Sequence, residues 1–190
     1  MNGVTPAKMP DNCSEPAPAK VNLALHVTGR RADGYHLLDT LVVFTEAGDT
    51  VAAATSENDR LVIEGRFGPS LSASSDNLVA LARDLLRSIT DEPAPAPVEL
   101  TLDKALPIAS GIGGGSSDAA ATLRLLVRHW NLTIDPVALA KASLALGADL
   151  PMCLAARSLR ARGIGEAIEP ASGLKPLHIV LVNPGVAVST

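Results

Sequence analysis

Between Pro107 and Asp118 the chain reads Pro-Ile-Ala-Ser-Gly-Ile-Gly-Gly-Gly-Ser-Ser-Asp, and no other stretch limits the possible folds as tightly. Four glycines and the pair Ser116-Ser117 lead directly into an amphipathic segment. Ala119, Leu123, Leu126 and Trp130 recur there at three- and four-residue spacings, while Arg124 and Arg128 lie off the stripe. The spacing predicts a helix with a glycine-rich loop at its start. Such a loop offers free backbone N–H groups, room for close approach and the positive end of a helix dipole, which together suit phosphate. Ser116, Ser117 and Asp118 are also favoured capping residues, so a well-capped flexible turn is the competing reading.

Two familiar phosphate loops do not fit. A Walker loop ends in Gly-Lys-Ser/Thr, and here Gly114 is followed by Gly115, Ser116 and Ser117. A dinucleotide fingerprint needs a glycine where Ser116 stands and a hydrophobic strand where Lys104-Ala105-Leu106-Pro107 stands. Broad function classes fall away on composition. Net charge is 16 − 20 = −4, which leaves no basic footprint for nucleic acid. No apolar run reaches membrane length and no leader pattern precedes Glu15, so a cytoplasmic protein is expected. With 47% apolar residues in 190, there is material for one core and the start of another. Only Cys13 and Cys153 occur, and a structural disulfide is not expected between them.

The rest of the chain predicts a mixed α+β domain. Residues 1–15 read as a disordered lead-in, with order from about Pro18. Lys20–Val27 alternates as a strand with Val21, Leu23, Leu25 and Val27 on its apolar face, and Lys20 and Asn22 together on the other. Leu37–Phe44, Thr50–Ala54, Leu61–Glu64 and Val98–Leu102 are further strand candidates. Ser74-Ser75-Asp76-Asn77 opens a helix carrying Leu78, Leu81, Ala82, Leu85, Leu86 and Ile89, and Asp135-Pro136 opens another that Gly147 is placed to end. Prolines 93, 95 and 97 mark a stiff connection. Gly163-Ile164-Gly165 is a turn between short strands, and His178–Val182 is a last apolar strand.

Three further groups carry possible chemistry. Asp149 follows Gly147-Ala148 and precedes Leu150-Pro151, as either a helix cap or a reactive carboxylate. Phosphoryl transfer to an alcohol asks mainly for alignment, charge neutralisation and the handling of one proton. Lys20 can supply a compact positive charge, and Asp149 can accept or orient a hydroxyl proton. Tyr35 beside His36 can serve as a platform and edge reader for a base, or as an ordinary half-buried strand pair.

Pro107, Gly111, Ile112, Gly113, Gly114, Gly115, Ser116 and Ser117 resemble the second motif of the GHMP kinases. Pro18-Ala19-Lys20-Val21-Asn22-Leu23, Arg31-Ala32-Asp33-Gly34-Tyr35-His36, the loop and Gly147-Ala148-Asp149-Leu150-Pro151 occur in family order, followed by Gly163-Ile164-Gly165-Glu166 and Asn183-Pro184-Gly185-Val186. The resemblance covers about residues 16–190. The string at 31–36 is similar to the branch that uses ATP to phosphorylate the 2-hydroxyl of 4-diphosphocytidyl-2-C-methyl-D-erythritol in non-mevalonate isoprenoid synthesis.

The resemblance implies a ribosomal protein S5 domain 2-like β-α sandwich and ATP with Mg²⁺. It makes Lys20 and Asp149 the catalytic pair. Pro107, Ile108, Ala109, Ser110, Gly111, Ile112, Gly113, Gly114, Gly115, Ser116 and Ser117 would enclose the ATP phosphates. Asn22, Tyr35 and His36 would hold the cytidine substrate, and metal ligands are left unassigned. Residues 16–174 correspond to the N-terminal domain and 175–190 to the first strand of a truncated C-terminal one. That arrangement is expected to expose an inter-domain face open to self-association. The alternatives are an impaired fragment that keeps nucleotide binding, another small-molecule kinase of the family, and, against the charge, a nucleic-acid-binding module.

Overall fold

The computed structural model describes residues 13–90 and 95–183. The chain order is β1 (Ser14–Arg30), β2 (His36–Thr55), β3 (Arg60–Glu64), α1 (Leu78–Ser88), β4 (Val98–Asp103), α2 (Gly114–His129), α3 (Pro136–Ser143), α4 (Leu150–Ala155), β5 (Leu159–Gly163) and β6 (Ala167–Pro170). β2 organises the sheet because its 20 residues serve two edges. β1 runs antiparallel along one edge; on the other, β4 pairs with Thr50–Thr55 and β5 with Leu38–Val42. β3 lies parallel to β4, joined to it through α1, and β6 closes the far side on β5. The expected separate strand at Thr50–Ala54 is therefore the second half of β2.

Alternation in β4 buries Val98, Leu100 and Leu102 and turns Glu99, Thr101 and Asp103 away. Those leucines meet Val51, Ala53 and the helices, where Leu86, Leu123, Leu125 and Leu126 are fully buried. Each such side chain contributes about 1.5–3 kcal/mol relative to exposure. α2 is buried well beyond the predicted stripe, continuously from Ser117 to Leu123, because it packs against α1, α4 and the sheet at once. Asn77 caps α1 by accepting from the Val79 N–H, and Asp135 caps α3. α3 ends at Ser143, and turns carry the chain on to Gly147.

Three expectations are corrected. β1 begins at Ser14, inside the predicted disordered lead-in, because the Glu15 carboxylate is gripped by Arg124 Nε and Arg128 Nη2, each at 2.6 Å. Residues 1–12 lie outside the described residues. The apolar face expected on β1 does not enter the core: every residue from Leu23 to Thr28 is exposed. Register shifts at Pro18/Lys20, Asn22/Ala24 and Val27/Gly29 break the simple alternation. His178–Val182 forms no strand and is exposed throughout, because no strand among the described residues lies beside it to take its backbone hydrogen bonds. Within the expected connection at 91–97 and C-terminal strand at 175–190, residues 91–94 and 184–190 lie outside the described residues.

Candidate active site

Gly113 sets the geometry of the loop. It stands at the N-cap of α2 with φ +66°, a left-handed conformation, and no side chain caps the helix. Ser117 N–H is the first to find a helical acceptor, the Gly113 carbonyl at 2.8 Å. The N–H groups of Gly114, Gly115 and Ser116 are left without helical acceptors at the positive end of α2. The capping role expected of Ser116, Ser117 and Asp118 is therefore not used, since all three sit inside the helix.

A cleft of about 480 Å³ opens beside the loop, lined by Pro107–Ser116 and, opposite, by Ser72, Ser74 and Asp76–Leu78. Ser117 departs from expectation. It is fully buried, absent from the cleft wall, and its Oγ donates to the Pro18 carbonyl at 2.7 Å, so its hydroxyl fastens α2 to β1.

On the β1 side of the loop stand Lys20 and Asp149. The Lys20 N–H donates to the Ile112 carbonyl at 2.8 Å, tying strand to loop. A Cβ on Gly113 would lie 3.1 Å from both Cβ and Cε of Lys20, so the missing side chain is what lets the lysine stem pass. Lys20 Nζ donates to Asn22 Oδ1 at 3.0 Å and lies 3.4 Å from Asp149 Oδ2. Asn22 Nδ2 donates onward to Thr40 Oγ1 at 2.7 Å, and Thr40 donates to the Ala24 carbonyl at 2.8 Å. This chain fixes the Asn22 amide and the lysine head. Asp149 occupies the N-cap of α4, but its side chain does not cap, is 41% exposed and turns to Lys20 instead. The capping alternative for Asp149 is thereby set aside, and a carboxylate and an ammonium converge at the loop.

Tyr35 and His36 are not brought to this pair. Both are exposed on the β1–β2 turn, and His36 is eight positions along β2 from Phe44, the cross-strand partner of Lys20.

Sequence reading missed Thr40, whose signal is a lone hydroxyl on a buried strand face, and it missed Lys104, Asp49 and Asp118. Lys104 Nζ donates to Asp49 Oδ2 at 2.5 Å and to Asp118 Oδ2 at 2.7 Å. Asp49 Oδ1 accepts from the N–H groups of Ala105 and Leu106, both at 2.7 Å. Burial pushes the Asp118 carboxyl up to about 7 against the pull of Lys104, with Asp49 adding to the rise. Behind Asp149, burial pushes the Cys153 thiol up to about 12.

Residues 77–157 match the family model described as "GHMP kinases N terminal domain". A protein of Agrobacterium fabrum named 4-diphosphocytidyl-2-C-methyl-D-erythritol kinase is 60% identical over 181 residues, covering 93% of this chain and 60% of the relative. A Mesorhizobium japonicum protein of the same name is 55% identical, with 92% and 59% covered. The chain thus spans about three fifths of the length of the curated relatives it matches. A crystal structure of 4-(cytidine 5'-diphospho)-2C-methyl-D-erythritol kinase superimposes with TM-score 0.67 at 37% identity, covering 83% of this chain and 55% of that one. The Streptococcus pneumoniae phosphomevalonate kinase, at 15% identity, 79% and 47% coverage and TM-score 0.59, shares the fold. A glycine loop at an uncapped helix start, a lysine and an aspartate converging beside it, and these matches lead to one conclusion: residues 77–157 of this chain are a GHMP kinases N-terminal domain.

Proposed function

We propose that this chain supplies the nucleotide-holding and catalytic part of a kinase that transfers the γ-phosphoryl group of ATP to the 2-hydroxyl of 4-diphosphocytidyl-2-C-methyl-D-erythritol. The observation that carries the reading is the 3.4 Å approach of Lys20 Nζ to Asp149 Oδ2 at the edge of the glycine loop. The N–H groups of Gly114, Gly115 and Ser116 hold phosphate oxygens. Lys20, braced by Asn22, places positive charge where the transferred group gains negative charge. Asp149 orients the substrate hydroxyl and takes its proton as oxygen bonds to the γ-phosphorus and the bond to the β-phosphate oxygen breaks, giving ADP and the 2-phosphate.

Mg²⁺ bound with ATP would neutralise phosphate charge, while the loop N–H groups and Lys20 would hold the phosphates that carry it. Tyr35 and His36, exposed where β1 turns into β2, hold the cytosine end of the substrate.

Turnover with the cytidine substrate, followed as ADP and 2-phosphate by ³¹P NMR, tests the reading on the 190-residue chain and on a version extended by a relative's following residues. Product formation that fails in Asp149→Asn, with ATP binding retained, is the expected result. Turnover of homoserine or mevalonate in preference to the cytidine substrate sinks the substrate assignment. Tyr35→Ala is expected to weaken cytidine-substrate binding by about 1–3 kcal/mol and to spare ATP.

Exposed Leu25 and Val27 on β1, and the apolar run Leu177–Val182, favour association of this chain with itself or with further chain. Sedimentation across a concentration series checks this, with a monomer throughout as the opposing outcome.

A further inference from the structure

Beneath the cleft the structure buries a cluster of three ionisable side chains. Lys104, Asp49 and Asp118 are only 3%, 1% and 2% exposed, and two carboxylates share one ammonium. The three come from different places: Asp49 from β2, Lys104 from the end of β4, Asp118 from one turn into α2. They join at the loop. A Cβ on Gly114 would lie 3.1 Å from Lys104 Nζ, so the cluster sits directly against the residue whose N–H faces the cleft, and Lys104 and Asp118 both line that cleft. One atom is left over. Asp118 Oδ1 is buried and has no hydrogen-bond partner, which suits a carboxyl that carries a proton better than one that is ionised.

We propose that Asp49, Lys104 and Asp118 are positioning residues for the phosphate-holding loop, and that a single proton on Asp118 sets how well the loop accepts a triphosphate. The inference rests on the nucleotide site proposed above. With Asp118 neutral, Lys104 and Asp49 balance, and the start of α2 presents its positive end undiminished. Once Asp118 ionises, the cluster gains an uncompensated negative charge under the loop and opposes the anion. Other charged or titratable neighbours do not take over this proton: Cys153 on α4 is held neutral by burial, and Arg124 on α2 is committed to Glu15 and to the Cys153 carbonyl. Because coupling is reciprocal, binding a triphosphate must draw a proton onto Asp118.

Calorimetric titration of the 190-residue chain with MgATP at pH 7.5, in two buffers of different ionisation heat, reads that proton directly. MgATP is fully ionised there and takes up none itself. For a tenfold coupling, uptake of about half a proton is expected, together with MgATP affinity falling about fivefold from pH 6 to 8. In Asp118→Asn, uptake should vanish and affinity should stay at its low-pH level. MgATP binding without uptake, or uptake unchanged in Asp118→Asn, overturns this inference alone. Absence of MgATP binding overturns it together with the nucleotide site. Should Asp118→Asn fail to fold, the wild-type uptake and a ¹³C carboxyl titration of the free chain still decide, a carboxyl that ionises near 4 counting against it.

Discussion

Two lysines press against adjacent glycines of the same loop from opposite sides, and they are built for different work. Lys20 passes Gly113 and Lys104 touches Gly114, each at 3.1 Å from where a side chain would begin. Lys104 is locked between two carboxylates that are almost wholly buried, with every short contact supplied by protein. Lys20 has one amide partner and a looser, half-exposed carboxylate, which leaves a proton of its ammonium for a ligand. The lesson lies in the partners rather than the burial: both ammonium groups are inside, yet only one faces a group that solvent and substrate can reach.

The sharpest way to break this contrast is Asp149→Asn. We expect phosphoryl transfer to fall about 10²–10⁴-fold with the melting temperature nearly unchanged, read by coupled ADP release and thermal melting. A loss of stability as large as the loss of rate would put Asp149 on the structural side. Lys104→Met tests the other half. It strands the buried Asp49 carboxylate and the Asp118 carboxyl beside it and should cost about 3–5 kcal/mol in urea unfolding, far more than Lys20→Met, whose partner can turn to water.

The Asp118 proton gives a stability signature with a definite sign. Its folded value of about 7 lies above the ordinary 3.8, so the folded chain binds more protons between those limits. Its contribution is full below about pH 4 and is lost as pH rises through 7, a change of up to about 4 kcal/mol. The wild-type minus Asp118→Asn difference isolates it from Asp39 and Asp59, whose carboxyls are held low chiefly by Arg160 and Arg87 and act only in acid. A flat difference would remove the proton from the cluster. Last, Gly113→Ala, with φ +66° and the Lys20 stem in the way, should cost about 1–3 kcal/mol and weaken ATP binding. Gly111→Ala, whose new methyl meets nothing within 4 Å, should cost only the conformational part.

Local signals were readable where local physics decides. The Asn77 and Asp135 caps, the β5–β6 turn and the helix after Gly113 follow from residue type and spacing. Lys20 and Asn22 were placed on one strand face by alternation, and they do meet. What sequence could not show depends on partners distant in the chain. Asp49 and Lys104 are 55 residues apart, and neither neighbourhood hints at the other. The long β2 looks like two strands in sequence, since Glu46-Ala47-Gly48-Asp49 interrupts its apolar pattern. Leu23, Leu25 and Val27 alternate like a core face, yet no helix among the described residues covers them. Ser117 has the residue type of a ligand contact, and only the proximity of Pro18 shows that its hydroxyl is already engaged.

Cys153 sits four residues beyond Asp149, with its N–H bonded to the Asp149 carbonyl at 3.0 Å, and its thiol is buried and held neutral to about pH 12. A thiol in that state alkylates only when the short helix carrying it swings open. Labelling speed with iodoacetamide therefore becomes a stopwatch for the segment that presents Asp149. Slower modification in the presence of ATP would reveal, without any turnover measurement, that a filled cleft steadies the carboxylate across the loop from it.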